Sequence, residues 1–334
     1  MSALTNPITA ADIARAAQTL TGLIRPTAIE ASPSLSTRLG VPVHLKLEHQ
    51  QITGSFKFRG ASNAVAHLSP AERAAGVIGV STGNHGRGLA RACADADVRC
   101  VIAMSELVPQ NKIDGIRAEG AEVLIEGRSQ DEAQKAVDRR VAGGMTMIPP
   151  FDHPHIIAGQ GTLGLEIANA LPDVKTVLVQ LSGGGLIAGM ALALKSRLPQ
   201  VRVIGVCMER GAAMQASLAA GHPVDVTEEP TLADSLGGGI GLDNRFTFQM
   251  VRDLVDDVIL LTEAEIAAGI RHCYWQERQI VEGSGAVGVA AILAGKVTAP
   301  DGPVLALLSG QNIDMGLHHR IISGEDVDIA KDTA

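Results

Sequence analysis

Short apolar segments alternate with longer amphipathic segments along almost the whole chain. The apolar segments have the length of strands and lie at residues 41–48, 77–81, 98–103, 121–125, 175–181, 201–207, 256–261 and 303–308. Between most of them, apolar residues recur at helical spacing over 84–96, 129–141, 160–171, 185–198, 263–277 and 284–295. Strands that alternate with helices form parallel sheets with helices on both faces. The sequence therefore predicts an α/β protein with doubly wound parallel sheets.

The chain of 334 residues is long enough for two domains. Pro149 and Pro150 interrupt the strand pattern, and about four strand signals lie in the first half of the chain. We therefore expect a small α/β domain over residues 61–149 and a large, discontinuous domain made of 1–60 and 150–334. The active site is expected between the two domains.

Composition argues against two classes of function. A net charge of −8 without a Lys/Arg cluster disfavours a nucleic-acid partner. Residues 176–194 carry no charge and are long enough to cross a bilayer, but Gln180 and the glycine-rich segment 182–185 divide them into a strand and a helix. No signal peptide is evident, and the four cysteines lack metal-binding spacing. We therefore expect a cytoplasmic protein with reduced thiols and no membrane association.

Lys57 lies among small and aromatic residues, shortly after the predicted strand 41–48. A lysine that forms a Schiff base must be held partly desolvated beside an aromatic cofactor, so that its neutral amine is accessible. A surface lysine at the start of a helix is the alternative interpretation of the same context.

Two polar loops follow predicted strands, where α/β proteins bind ligands. The segment 81–86 (STGNHG) offers hydroxyls, an amide and backbone N–H groups that suit a carboxylate or a ring oxygen. An ordinary polar turn with Asn84 as the N-cap is its alternative. The segment 182–186 (SGGGL) lets the backbone close around a phosphate at the positive end of the following helix.

A nicotinamide-dependent oxidoreductase is a rival interpretation of the second loop. The segment 183–188 fits the G-x-G-x-x-A pattern, and Glu209 follows the next strand at the spacing of a ribose-binding acid. This interpretation gives no role to Lys57 or to the segment 81–86. A simple binding protein of similar architecture has even less use for a lysine in that position.

Taken together, the motifs resemble the pyridoxal-phosphate enzymes of fold type II, in the threonine dehydratase and serine racemase branch. The resemblance runs from about residue 24 to residue 321. Its landmarks are GSFKFRGA at 54–61, STGNH at 81–85, IIAGQGT at 156–162, SGGGL at 182–186, TLAD at 231–234 and SGQN at 309–312. Within this branch the chain is most similar to the hydroxyectoine utilisation dehydratases, through the segments 127–133, 147–152 and 235–245.

The resemblance implies pyridoxal 5'-phosphate as the cofactor and a role for each landmark residue. Lys57 would form the Schiff base and then act as the base that removes the substrate's Cα proton. The implied cofactor contacts are Phe56 against the ring, Asn84 at the ring hydroxyl, the phosphate cradle of Ser182, Gly183, Gly184, Gly185 and Leu186, and Ser309 at the pyridine nitrogen with Glu282 nearby. The implied substrate contacts are Ser81, Thr82, Gly83 and His85 around the carboxylate, with Ser235 next to the pocket.

The implied reaction is elimination of water from a β-hydroxy-α-amino acid, with release of a 2-oxo acid and ammonia by a homodimer. A neutral serine at the ring nitrogen makes the cofactor a weaker electron sink, which suits rapid loss of a β-substituent. Racemisation or dehydration of serine or hydroxyaspartate is the alternative within this chemistry. The intact hydroxyectoine ring holds its α-nitrogen in an amidine, so a ring-opened derivative is the expected substrate.

The chain departs from the family pattern in three respects. Thr82, assigned a catalytic role on the face opposite Lys57, stands where serine racemases have serine and many dehydratases have alanine. The usual cation-binding positions fall on Cys207 and Ala213, so we expect no metal site. Ser235 replaces a glycine, which argues against assuming threonine as the substrate.

Overall fold

The computed structural model describes residues 8–81, 83–106, 108, 110–127, 130–298, 300–327 and 329. Strands β1 to β10 are Ile29–Ala31, Val43–Lys46, Val77–Val80, Cys100–Met104, Glu122–Ile125, Thr146–Met147, Thr176–Gln180, Arg202–Met208, Asp257–Leu261 and Val304–Leu307. Helices α1 to α14 are Ala10–Thr19, Pro33–Leu39, Lys57–Ala66, Pro70–Ala75, Asn84–Asp95, Gln110–Ala118, Gln130–Ala142, Pro154–Ala170, Gly185–Arg197, Ala213–Ala220, Thr247–Leu254, Glu263–Trp275, Gly283–Leu293 and Met315–Ile322. Short 3-10 turns lie at Glu48–Gln50 and Asp234–Leu236.

The strands form two sheets. The larger has the order β1-β2-β10-β7-β8-β9, and all its neighbours are parallel except β1 and β2. The smaller is fully parallel, with the order β5-β4-β3-β6. The predicted α/β architecture with two parallel sheets is therefore confirmed, with one antiparallel edge strand added.

All eight predicted strands are present, with ends shifted by a few residues. Strand β1 was not predicted, because its three residues are mostly exposed and contain no apolar run. The two-residue strand β6 is too short to leave a sequence pattern. The four strands of the smaller sheet lie within residues 77–147. The exact limits of the two domains stay a prediction. Helix α3 spans the expected boundary at residue 60.

Helix α3 was also not predicted, and the reason lies in its burial. Residues 58–65 are all buried, including the polar Arg59, Ser62 and Asn63, so the helix has no exposed polar face to give an amphipathic pattern. It packs against α5 and α8. A Cβ on Gly159 of α8 would lie 2.7 Å from Gly60 Cα in the α3 backbone, so the close approach of α3 and α8 requires glycine. This packing fixes the helix that begins at Lys57.

The two largest apolar cores support the sheets. One surrounds the larger sheet, and the other lies between the smaller sheet and helices α3, α5 and α6. The uncharged segment 176–194 forms β7, a glycine loop and most of α9. Within the described ranges, no helix combines the length and the apolar character needed to span a membrane.

Candidate active site

Lys57 is the first residue of α3 and is half-buried. Its Nζ donates a hydrogen bond to Pro150 O at 2.9 Å and lies 5.2 Å from the centroid of the Phe56 ring. Burial lowers the pKa of Lys57 to about 8, although the Glu282 carboxylate acts in the opposite direction. A lysine with this pKa has a far larger neutral fraction near neutral pH than an ordinary lysine, which makes the amine available as a nucleophile or a base. These contacts differ from those of a solvated surface lysine.

Lys57 lines two adjoining cavities. The first, which we call the inner cavity, contains all the predicted cofactor contacts: Phe56, Lys57, Asn84, Ser182, Gly183, Gly184, Gly185, Leu186, Glu282 and Ser309. The second, the outer cavity, has a volume of about 350 Å³ and brings together the predicted substrate contacts Ser81, Gly83, His85 and Ser235. Thr82 lies outside the described residues. Residues separated by more than 200 positions thus meet at one site.

Sequence reasoning missed four residues that line the inner cavity: Phe151, Gln180, Leu236 and Ser284. Ser284 belongs to the small polar segment 282–286, and Phe151 follows the proline pair, so both had a weak signal. Gln180 ends a buried strand and had none.

The glycine loop closes tightly on Phe151. An ideal Cβ on Gly183 would lie 2.3 Å from Phe151 Cδ1, and one on Gly185 would lie 2.8 Å from Phe151 O. Gly184, with φ of +89°, is the N-cap of α9 and makes no side-chain cap. Free N–H groups at the positive end of a 13-residue helix suit a phosphate.

Two buried polar atoms indicate that the inner cavity holds a polar ligand. Ser284 Oγ and Gln180 Oε1 have no hydrogen-bond partner among the described residues, and both side chains line this cavity. Buried polar atoms in folded proteins are almost always paired. Together with the glycine loop and Lys57, they fit a phosphorylated, polar-ringed cofactor.

A hydrogen-bonded amide and carboxylate lie at the edge of the inner cavity. Asn84 Nδ2 donates to Glu282 Oε1 at 2.7 Å, and Asn312 Nδ2 donates to Asn84 Oδ1 at 2.6 Å. Burial, aided by the negative charge of Asp234, raises the pKa of Glu282 to about 8. A Cβ on Gly310 would lie 2.3 Å from Glu282 Oε1, so the carboxyl group packs against the segment that follows Ser309.

The polar loop after β3 is held by hydrogen bonds to the Ser81 hydroxyl. Ser81 Oγ accepts the backbone N–H groups of Gly83 at 3.3 Å and Gly86 at 3.1 Å. His85 is buried, and its Nε2 lies 3.0 Å from Ile148 O. Burial and the positive charge of Lys57 lower the pKa of His85 to about 3. His85 is therefore neutral and adds no positive charge to the outer cavity.

The positions that the resemblance assigns to a bound cation hold Cys207 and Ala213. Cys207 is buried near the end of β8, where burial raises the pKa of its thiol to about 12, and Ala213 begins α10. Across the described part of the chain, no three His, Cys, Asp or Glu side chains are grouped so that they could hold a metal ion.

Comparison with known proteins agrees with a site that fits a phosphorylated, polar-ringed cofactor. The profile of the family described as "Pyridoxal-phosphate dependent enzyme" matches residues 20–310. A Sinorhizobium fredii protein named "Putative threonine dehydratase" is 62% identical over 299 residues, which cover 89% of this chain and 90% of the relative. The "L-threonine ammonia-lyase" of Thermotoga maritima is 43% identical over 317 residues, covering 95% of this chain and 78% of that protein. The structure of maize serine racemase superposes with a TM-score of 0.89 at 29% identity, covering 95% of this chain and 97% of that one.

Proposed function

The chain belongs to the pyridoxal-phosphate dependent enzymes, and on that premise we propose that it is a lyase that eliminates water from a β-hydroxy-α-amino acid. The products are a 2-oxo acid and ammonia. The observation that carries this proposal is the position of Lys57, whose amine borders both the glycine-loop cavity and the cavity of the 81–85 loop. The nicotinamide interpretation of segment 183–188 is not supported by the family match and leaves Lys57 without a role.

The inner cavity supplies a contact for each part of the cofactor. The backbone of residues 182–186, at the N-terminus of α9, would bind the phosphate. Phe56 would pack against the ring, and Asn84 would donate a hydrogen bond to the ring hydroxyl oxygen. Ser309 would face the ring nitrogen with a neutral hydroxyl.

When bound, pyridoxal phosphate supplies an electron sink for the negative charge that develops at the substrate's Cα. Lys57 is the residue to which we assign both attachment of the cofactor and removal of the Cα proton. The pKa of about 8 lets its Nζ take up a proton near neutral pH, and Pro150 O holds the amine by a 2.9 Å hydrogen bond. In the outer cavity, Ser81, Gly83 and His85 would surround the substrate carboxylate.

Incorporation of pyridoxal phosphate into the apoprotein is expected to accelerate with pH, because only the neutral amine of Lys57 reacts with the aldehyde. Below the pKa of about 8, the rate should rise about tenfold per pH unit and then level off. Glu282→Gln should move the midpoint only slightly to lower pH, because the Glu282 charge that raises the pKa of Lys57 is present mainly above the pKa of about 8 of Glu282 itself. Stopped-flow absorbance measures both rates, and a rate that does not change across this pH range would contradict the assignment.

The finer proposal concerns the substrate. We propose a ring-opened hydroxyectoine derivative, a β-hydroxy-α-amino acid that carries an amino or acylamino group at its far end. The cofactor requires a primary amine, which the intact ring does not have. Glu228 lines the outer cavity, so its carboxylate is available to a cationic far end of the substrate.

The experiment is a substrate panel scored for 2-oxo acid release. It contains threonine, serine, hydroxyaspartate, intact hydroxyectoine and its hydrolysed form. We expect turnover of hydroxy amino acids with preference for the hydrolysed form. Turnover of the intact ring alone would overturn the ring-opened substrate, and absence of 2-oxo acid from every compound would overturn the lyase.

Glu228→Gln is expected to raise KM about two- to fivefold for a substrate with a far-end ammonium group, since it removes one partly exposed charge contact. The KM for threonine should stay unchanged. Glu229→Gln is the matched control, because Glu229 lies beside Glu228 in the sequence but does not line the outer cavity. Equal effects of the two variants on KM would contradict a direct contact by Glu228.

The proposal includes a cytoplasmic homodimer. Cys93, Cys100, Cys207 and Cys273 are buried and form no disulfide bond with one another, which suits a reducing compartment. The exposed apolar side chains of Trp275, Ile280 and Met315 are consistent with contact to a second copy of the chain.

A further inference from the structure

We propose that Asn312 is a positioning residue that fixes the Asn84 side chain as a hydrogen-bond donor toward the inner cavity. Asn312 does not itself line the inner or the outer cavity. It acts through Asn84, to which its Nδ2 donates at 2.6 Å. The inference rests on the proposed contact between Asn84 and the cofactor's ring hydroxyl oxygen.

The orientation of Asn312 is set by a backbone group that can only accept. An asparagine amide presents an acceptor oxygen at one end and a donor nitrogen at the other, and its partners decide which end faces where. Asn312 Nδ2 lies 2.9 Å from the carbonyl oxygen of Thr53. Because that carbonyl has no hydrogen to donate, the nitrogen of Asn312 must face it.

The orientation of Asn84 follows from that of Asn312. The same Nδ2 of Asn312 lies against Asn84 Oδ1, and a donor there requires the oxygen of Asn84. The opposite end, Asn84 Nδ2, then faces Glu282 Oε1 at 2.7 Å. Glu282 Oε2 accepts the backbone N–H of Asn312 at 3.1 Å, which closes the arrangement. Reversal of the Asn84 amide would place its nitrogen against the nitrogen of Asn312, where neither group can accept a hydrogen.

The second hydrogen of Asn84 Nδ2 is left for a ligand. It is directed toward Ser235 Oγ at 3.5 Å, which is long for a hydrogen bond. An acceptor oxygen in the inner cavity would take this hydrogen at normal distance. Asn84 can therefore donate to a ring hydroxyl oxygen but cannot accept from it.

The segment that precedes Lys57 packs against the Asn312 side chain. Gly54 has φ of +75°, and a Cβ at this position would lie 2.8 Å from Asn312 Oδ1. Gln311 N also donates to Gly54 O at 2.9 Å. Asn312 thus links the segment before α3 and the start of α5 through its side chain, and the carboxyl group of Glu282 through its backbone N–H.

The test is Asn312→Asp, which keeps the size of the side chain and removes both Nδ2 donor contacts. In the holoenzyme we expect a shifted visible absorbance maximum and a Kd for pyridoxal phosphate raised about tenfold, because a buried polar contact is lost. Gln311→Glu makes the same charge change at an exposed neighbour and should leave both values near those of the wild type. An N312D protein with unchanged spectrum and Kd, or equal shifts in both variants, would overturn the inference.

A double-mutant cycle separates action through Asn84 from a general structural role. In an Asn84→Ala background, Asn312→Ala should leave the visible absorbance maximum unchanged and change the Kd by less than about twofold. The side chain that Asn312 orients is already absent in that background. A full additional effect would contradict the inference. If Asn84→Ala alone changes neither readout, the proposed cofactor contact of Asn84 fails, and this inference with it. Asn312→Ala in the wild-type background provides the same readouts if N312D does not fold.

Discussion

Substitution of Lys57 by alanine is expected to lower kcat/KM for dehydration by about 10³- to 10⁴-fold. The variant loses the only base that we assign to the reaction, and general base catalysis alone contributes on the order of 10²–10⁴. It also loses the nucleophile that attaches the cofactor. Release of the 2-oxo acid under saturating pyridoxal phosphate measures the effect.

Lys175→Ala is the control for this substitution. Lys175 is exposed and precedes β7, away from both cavities, so its removal should leave kcat/KM unchanged. If Lys57→Ala retains more than about a tenth of the wild-type kcat/KM, the loss is smaller than removal of a general base causes. The assignment of Lys57 would then be wrong.

Replacement of Arg59 by methionine is expected to reduce the free energy of unfolding by about 3–5 kcal/mol, the cost of leaving a buried charge without its partner. Arg59 Nε and Nη2 donate to Glu48 Oε1 and Oε2 at 2.6 Å and 3.0 Å, and both side chains are fully buried. Arg59 Nη1 also donates to Glu166 Oε1 at 2.5 Å. Urea denaturation followed by circular dichroism measures the change.

A matched exposed pair provides the control. Arg99 binds Glu122 with the same two-bond geometry, at 2.8 Å for each bond, but the side chains are 53% and 58% exposed. Arg99→Met should therefore lower the free energy of unfolding far less than Arg59→Met does. Similar losses for the two variants would contradict the view that burial decides the contribution of Arg59 to stability.

The sequence was most informative where function required unusual local chemistry. Three consecutive glycines, a lysine beside Phe56 and the polar loop 81–86 each departed from ordinary turn or surface composition. The order of strands and helices predicted two parallel sheets, because a buried parallel strand leaves a continuous apolar run. The structure then brought these segments together around two cavities.

The remaining features depend on contacts between distant residues. Helix α3 is buried on all sides and is stabilised by the pairing of Arg59 with Glu48 and Glu166, which no local pattern encodes. The orientation of Asn84 depends on Asn312, 228 positions away. Gln180 ends a buried strand, and only the packing of neighbouring strands places it in the inner cavity. Periodicity and motif spacing cannot predict such pairings.

The central claim is that Lys57 attaches the cofactor, and reduction of the purified holoenzyme with borohydride tests it most directly. After reduction, proteolysis and mass spectrometry, we expect the pyridoxyl mass on the peptide that contains Lys57, together with loss of the visible absorbance band. Lys57→Ala should give no such peptide. A pyridoxyl group on a different lysine, or a colourless protein that binds NADH instead, would contradict the account.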